Sequence, residues 1–67
     1  MPFTTSISQD LVHFIKDNEI QPIDARVMCL SFLFDRGVAL TQAVLEQAED
    51  IYIFTSGNQP STHFDIA

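Results

Sequence analysis

The sequence predicts a small all-α domain of three helices followed by a loose C-terminal tail. Three observations lead there. Apolar residues recur at helical spacing in three separate stretches. Helix start and stop residues bracket each stretch. The one segment rich in strand formers, Ile51-Tyr52-Ile53-Phe54-Thr55, has no second strand elsewhere to pair with. The expected helices cover about 7–18, 22–36 and 41–55, within a single domain at 1–57, and 58–67 form a flexible tail.

In the first helix Ile7, Leu11, Phe14 and Ile15 follow the i, i+4, i+7, i+8 pattern of one apolar face. Asp10, His13, Lys16 and Asp17 fall on the other side. Ser6 followed by Gln9 reads as a capping box, in which the hydroxyl accepts from a backbone amide and the Gln side chain reaches back. Pro22 beyond Asn18 predicts the end of this helix.

Pro22 suits the first turn of the second helix, where its missing N–H costs nothing. Asp24 near the start and Arg36 near the end both favour the helix dipole, and Gly37 fits the position after the C-cap. Steps of about 100° per residue divide this helix into two apolar faces. Ile23, Val27, Leu30, Leu33 and Phe34 form one, and Ala25, Met28, Cys29 and Phe32 form the other. Asp24, Ser31 and Asp35 make a narrow polar stripe between them. A helix apolar over most of its circumference is normally buried on both sides. The first and third helices can cover one face, but little of the chain remains for the second. The expectation is therefore a homodimer that self-associates through Ala25, Met28, Cys29 and Phe32. A monomer in which all three helices and the tail wrap the second is the alternative.

Thr41 is a good N-cap for the third helix, and Leu40 with Leu45 can form a hydrophobic staple across it. Val44, Leu45, Ala48, Ile51 and Tyr52 make the inward face, while Gln42, Glu46, Glu49 and Asp50 make an acidic outer one. Gly57 can end the helix. In the tail, Phe64 and Ile66 are candidates to dock on the domain or on a partner.

The chain has 67 residues, three basic and nine acidic, for a net charge of −6. Such a charge opposes binding to a phosphate backbone and suits a basic partner, although it also serves plain solubility. With a single cysteine, Cys29, no internal disulfide forms. Cys29, His13 and His63 show no recognisable metal-ligand spacing, so neither metal nor cofactor is expected. No apolar run approaches the roughly 20 residues of a membrane span. With a free cysteine and no basic or apolar leader at the N-terminus, the expectation is the reducing cytoplasm.

Enzymatic readings lack a motif. Cys29 on an apolar helix face reads as a small buried hydrophobe rather than a nucleophile. Glu46, Glu49 and Asp50 lie on a solvated helix without the partly dry cleft that tunes general acids. There is no glycine-rich phosphate loop, no calcium loop, and no Asp-Ser-Leu carrier triplet.

A helix-turn-helix is conceivable around Gly37, with Thr41 and Gln42 as base readers. Yet the third helix carries no Lys or Arg, and its acids would face phosphates. Ile53 falls among those acids by angle and Phe54 lies near their edge, as an interface anchor with a polar rim would or as the frayed end of the helix.

The leading expectation is a non-enzymatic protein–protein interaction module. It would be a small acidic inhibitor or adaptor, of the kind phages and mobile elements encode, acting on a basic or nucleic-acid-binding protein. Glu46, Glu49, Asp50, Ile53 and Phe54 are the expected contact residues. A DNA-binding regulator and a structural or assembly subunit of a larger complex are the alternatives.

Overall fold

A computed structural model describes residues 4–65. It contains α1 (Thr5–Asp17), α2 (Ala25–Asp35) and α3 (Gln42–Ser56), and no strand among the described residues. Residues 51–55 are helical throughout. The Cα radius of gyration is 10.5 Å, close to the roughly 11 Å expected of a fully packed chain this long.

α1 begins earlier than the Ser6 capping box implies. Thr4 is the N-cap, and its Oγ1 accepts from the Ile7 amide at 3.3 Å. Thr4, Thr5 and Ser6 are all competent caps, and capping at the first adds helical residues without placing a breaker inside the helix.

The end of α1 is a complete Schellman motif. The Glu19 amide donates to the Lys16 carbonyl at 3.2 Å, and the Ile20 amide donates to the Ile15 carbonyl at 3.3 Å. Glu19 occupies the left-handed position with φ +46°, where glycine is usual. Ile15 and Ile20, both buried, supply the apolar contact that accompanies this motif.

α2 starts at Ala25 rather than Pro22. The intervening turn is wound more tightly than an α-helix: the Asp24 amide donates to Gln21 and the Ala25 amide to Pro22, each three residues back. The Pro22 carbonyl also accepts from the Ser61 amide at 3.0 Å, which ties the turn to the C-terminal segment. α2 ends in a second Schellman motif, with Gly37 at φ +79° and bonds from Gly37 to Phe34 and from Val38 to Leu33. α3 is capped as expected: Thr41 Oγ1 accepts from the Val44 amide at 3.3 Å, and Gly57 closes the helix at φ +76°.

The core combines Leu11 and Ile15 of α1, Ala25, Cys29 and Leu33 of α2, and Val44, Leu45, Ala48 and Tyr52 of α3, with Ile20 and Phe64. α1 and α3 share the most extensive contact. Tyr52 is fully buried, and its hydroxyl donates to the Ile20 carbonyl at 2.9 Å, which satisfies both polar groups inside the core. From the segment after α3, Pro60 is buried and Phe64 inserts its ring 6.4 Å from that of Tyr52. Phe64 thus docks on the domain; Ile66 lies outside the described residues.

Candidate protein-interaction surface

Burial divides α2 differently from its two apolar faces: Ala25 and Cys29 of one face and Leu33 of the other turn inward together. Ala25 and Cys29, read as self-association residues, have 0% exposure and line the core with Leu33. They offer no surface to a second copy in this arrangement. Met28 and Phe32 are half-buried against the core. The Phe32 ring stacks on Phe14 at 4.5 Å between centroids, and the Arg36 guanidinium lies 4.6 Å from the Phe32 centroid. Arg36 also pairs with Asp10 at 2.7 Å, so this side of α2 is sealed against α1.

Small side chains contribute to this division. Ala25 and Cys29 are small enough for α2 to lie close against its neighbours, and close packing favours contacts made at interior density. The bulkier Ile23, Val27 and Phe34 remain outside.

Burial also governs the Cys29 thiol, pushing its pKa up to about 12. It stays protonated at neutral pH and packs as an apolar group.

On α3 the expected contact residues separate into two groups. Glu46 and Asp50 are exposed, Ile53 is half-buried, and Phe54 is 90% exposed. Gln42 Nε2 donates to Glu46 Oε2 at 3.1 Å, one helical turn away. An aromatic ring in solvent beside carboxylates forgoes the stabilisation of burial, worth roughly 1.5–3 kcal/mol. Such a residue is suited to be an anchor for another protein.

Glu49 belongs instead to the internal structure. Its side chain is 16% exposed. Oε1 accepts from the Phe64 amide at 2.7 Å, and Oε2 lies 2.7 Å from His63 Nδ1. Burial raises the Glu49 pKa, but the Phe64 amide and His63 together outweigh it, and the net shift is downward. The bond and charge of Glu49, with a lesser contribution from Asp65, raise that of His63. Glu49 therefore fastens the C-terminal segment over Tyr52. The signal for this role is the pairing of an acid on α3 with a histidine beside an apolar Phe64, which sequence periodicity does not register.

Both arginines are engaged, and Lys16 has no ion-pair partner among the described residues. Arg36 holds Asp10, and Arg26 donates from Nη2 to the Asp65 carbonyl at 2.6 Å. Asp24, Asp35, Glu46 and Asp50 have no ion-pair partner among the described residues.

Open depressions mark the surface of the described residues. One, of about 490 Å³, is lined by Arg26, Ser61, Thr62, His63 and Asp65. Another, of about 180 Å³, lies between the end of α1 and the end of α3. Cys29 lines neither. Among the described residues no group of three or more His, Cys, Asp or Glu is placed to hold a metal ion, and no helix is long and apolar enough to cross a membrane. No known family model, curated protein or solved structure matches this chain.

Proposed function

We propose that this chain is a non-enzymatic protein-interaction module, a small acidic inhibitor or adaptor that engages a basic, nucleic-acid-binding protein. The observation that carries this reading is Phe54, 90% exposed on the same helix as the unpaired carboxylates of Glu46 and Asp50. The aromatic ring supplies an anchor and the carboxylates supply a rim that selects cationic partners. Direct DNA binding is less well supported. Thr41 Oγ1 is taken by the α3 cap and Gln42 by Glu46, and the exposed acids of the same helix repel phosphate.

The test is affinity capture from the native source on the immobilised chain, with Glu46→Lys/Asp50→Lys and Phe54→Ala as parallel baits. The expected result is a basic nucleic-acid-binding protein held by the parent chain. Its purified form should lose affinity for both variants and lose nucleic-acid binding when the parent chain is added. A partner retained equally by all three baits rejects the α3 surface. Salt-sensitive binding of DNA by the isolated chain would instead favour a regulator.

A further inference from the structure

The fold leaves a row of apolar side chains uncovered along α2 and the turn that leads into it. Ile23, Val27 and Phe34 are 75%, 67% and 69% exposed, and half-buried Leu30 lies between them. Within α2, spacings of three and four residues set Val27, Leu30 and Phe34 in one line about 10 Å long, and Ile23 lies in the turn just before the helix. The same spacing lets one helix pack its apolar seam along another.

The two sides of the row differ in charge. Exposed Asp24, Ser31 and Asp35 border one side, and neither carboxylate has an ion-pair partner among the described residues. Arg26 borders the other side and is turned to the Asp65 carbonyl.

We propose that this row docks a cationic amphipathic helix of another protein. The apolar seam of that helix lies on Ile23, Val27, Leu30 and Phe34, and its Lys or Arg side chains meet Asp24 and Asp35. The inference rests on the reading that the chain binds a basic partner, and adds to it a second surface and the shape of the ligand.

Charge decides between this occupant and a second copy of the chain. An antiparallel copy would set Asp24 against the second copy's Asp35 at both ends of the row, which is repulsive at close range. In any orientation the two chains would each bring a net charge of −6. Area points the same way. The row presents a few hundred Å² at most, against roughly 800 Å² per partner in a stable interface. For a cationic helix, attraction to Asp24 and Asp35 adds to this small area, whereas for a second copy repulsion subtracts from it.

The test uses two synthetic amphipathic helical peptides, one of Leu and Lys and its counterpart of Leu and Glu. Each is titrated into the full 15N-labelled chain, with amide shifts locating the site and fluorescence anisotropy giving affinity. The Leu/Lys peptide is expected to bind and to shift amides of residues 23–35, while the Leu/Glu peptide does not bind. Val27→Ser, at an exposed position, should lower affinity about tenfold with helicity unchanged. Asp24→Lys/Asp35→Lys should exchange the preference between the two peptides.

Equal binding of both peptides by the parent chain overturns the charge argument. Shifts confined to Glu46, Asp50 and Phe54 overturn the α2 site while leaving the proposed function standing. A dimer that Val27→Ser dissociates assigns the row to a second copy and also overturns the proposal. Failure of both peptides to bind overturns it as well, and the capture experiment on α3 then decides the broader reading separately.

Discussion

Replacing Phe64 by Ala tests whether the segment after α3 is part of the core. The ring is 1% exposed and packs beside fully buried Tyr52. Truncating a buried Phe to Ala costs about 3–5 kcal/mol in lost transfer energy and residual cavity. A chain of this length is stabilised by only roughly 3–10 kcal/mol in total.

The mutant has an escape. The segment can detach and regain backbone entropy of about 1–2 kcal/mol per freed residue. Detachment, however, exposes Tyr52 and breaks the bonds from the Phe64 amide to Glu49 and from Arg26 to the Asp65 carbonyl. The expected loss is therefore at the lower end, about 3 kcal/mol. At roughly 4–8 °C per kcal/mol for a domain of this size, Tm should fall by at least about 12 °C.

Thermal melting followed by far-UV circular dichroism measures it. Phe64→Leu, which refills most of the volume, should cost clearly less. A fall in Tm of under about 4 °C for Phe64→Ala, equivalent to some 1 kcal/mol, would refute the reasoning and return the segment to a loose tail.

Other expectations are more local. Glu19→Gly should stabilise the chain by about 1 kcal/mol in urea unfolding, because it relieves a left-handed residue at φ +46°; a destabilised variant would show that the Glu side chain contributes more than its strain. Tyr52→Phe should cost about 1–3 kcal/mol, since it leaves the buried Ile20 carbonyl without its partner; an unchanged unfolding midpoint would mean that water replaces the hydroxyl. Phe32→Asp should destabilise the fold, because it removes the stack on Phe14 and the contact with Arg36; a variant as stable as the parent would place Phe32 outside the packing.

The His63–Glu49 pair predicts a pH dependence with a defined sign. His63 is raised from 6.5, so its contribution is complete below 6.5 and is lost as pH rises through the higher folded value. Glu49 is lowered from 4.5, so its contribution is complete above 4.5 and is lost as pH falls through the lower folded value. The pair therefore contributes fully between about pH 4.5 and 6.5, and His63→Ala should flatten the decline in stability from that window toward pH 8. Parent and variant curves that remain parallel would deny the coupling.

Much of this architecture is legible in the residues. Local rules suffice for Thr41 and Gly57 around α3, and for Gly37 after α2, because caps and left-handed positions depend on near neighbours. The apolar spacing of Leu11 and Ile15, and of Val44, Leu45, Ala48 and Tyr52, marks core faces because each of these helices has one dominant stripe. The start of α1 was ambiguous among three adjacent hydroxyl residues of similar capping strength. The left-handed Glu19 that closes α1 carries no sequence marker, because glycine is the usual residue of that geometry.

The sequence by itself determined three helices, their order and a surplus of negative charge, since periodicity, capping and composition are local or additive properties. Only the tertiary structure decided which side of α2 faces inward. Both sides are apolar, and the choice depends on how closely Ala25 and Cys29 let neighbouring helices approach. Tertiary structure also turned Glu49 from a surface acid into the anchor of Phe64. Residues 49 and 64 meet only when the chain folds back on α3, and no spacing along one helix encodes that contact.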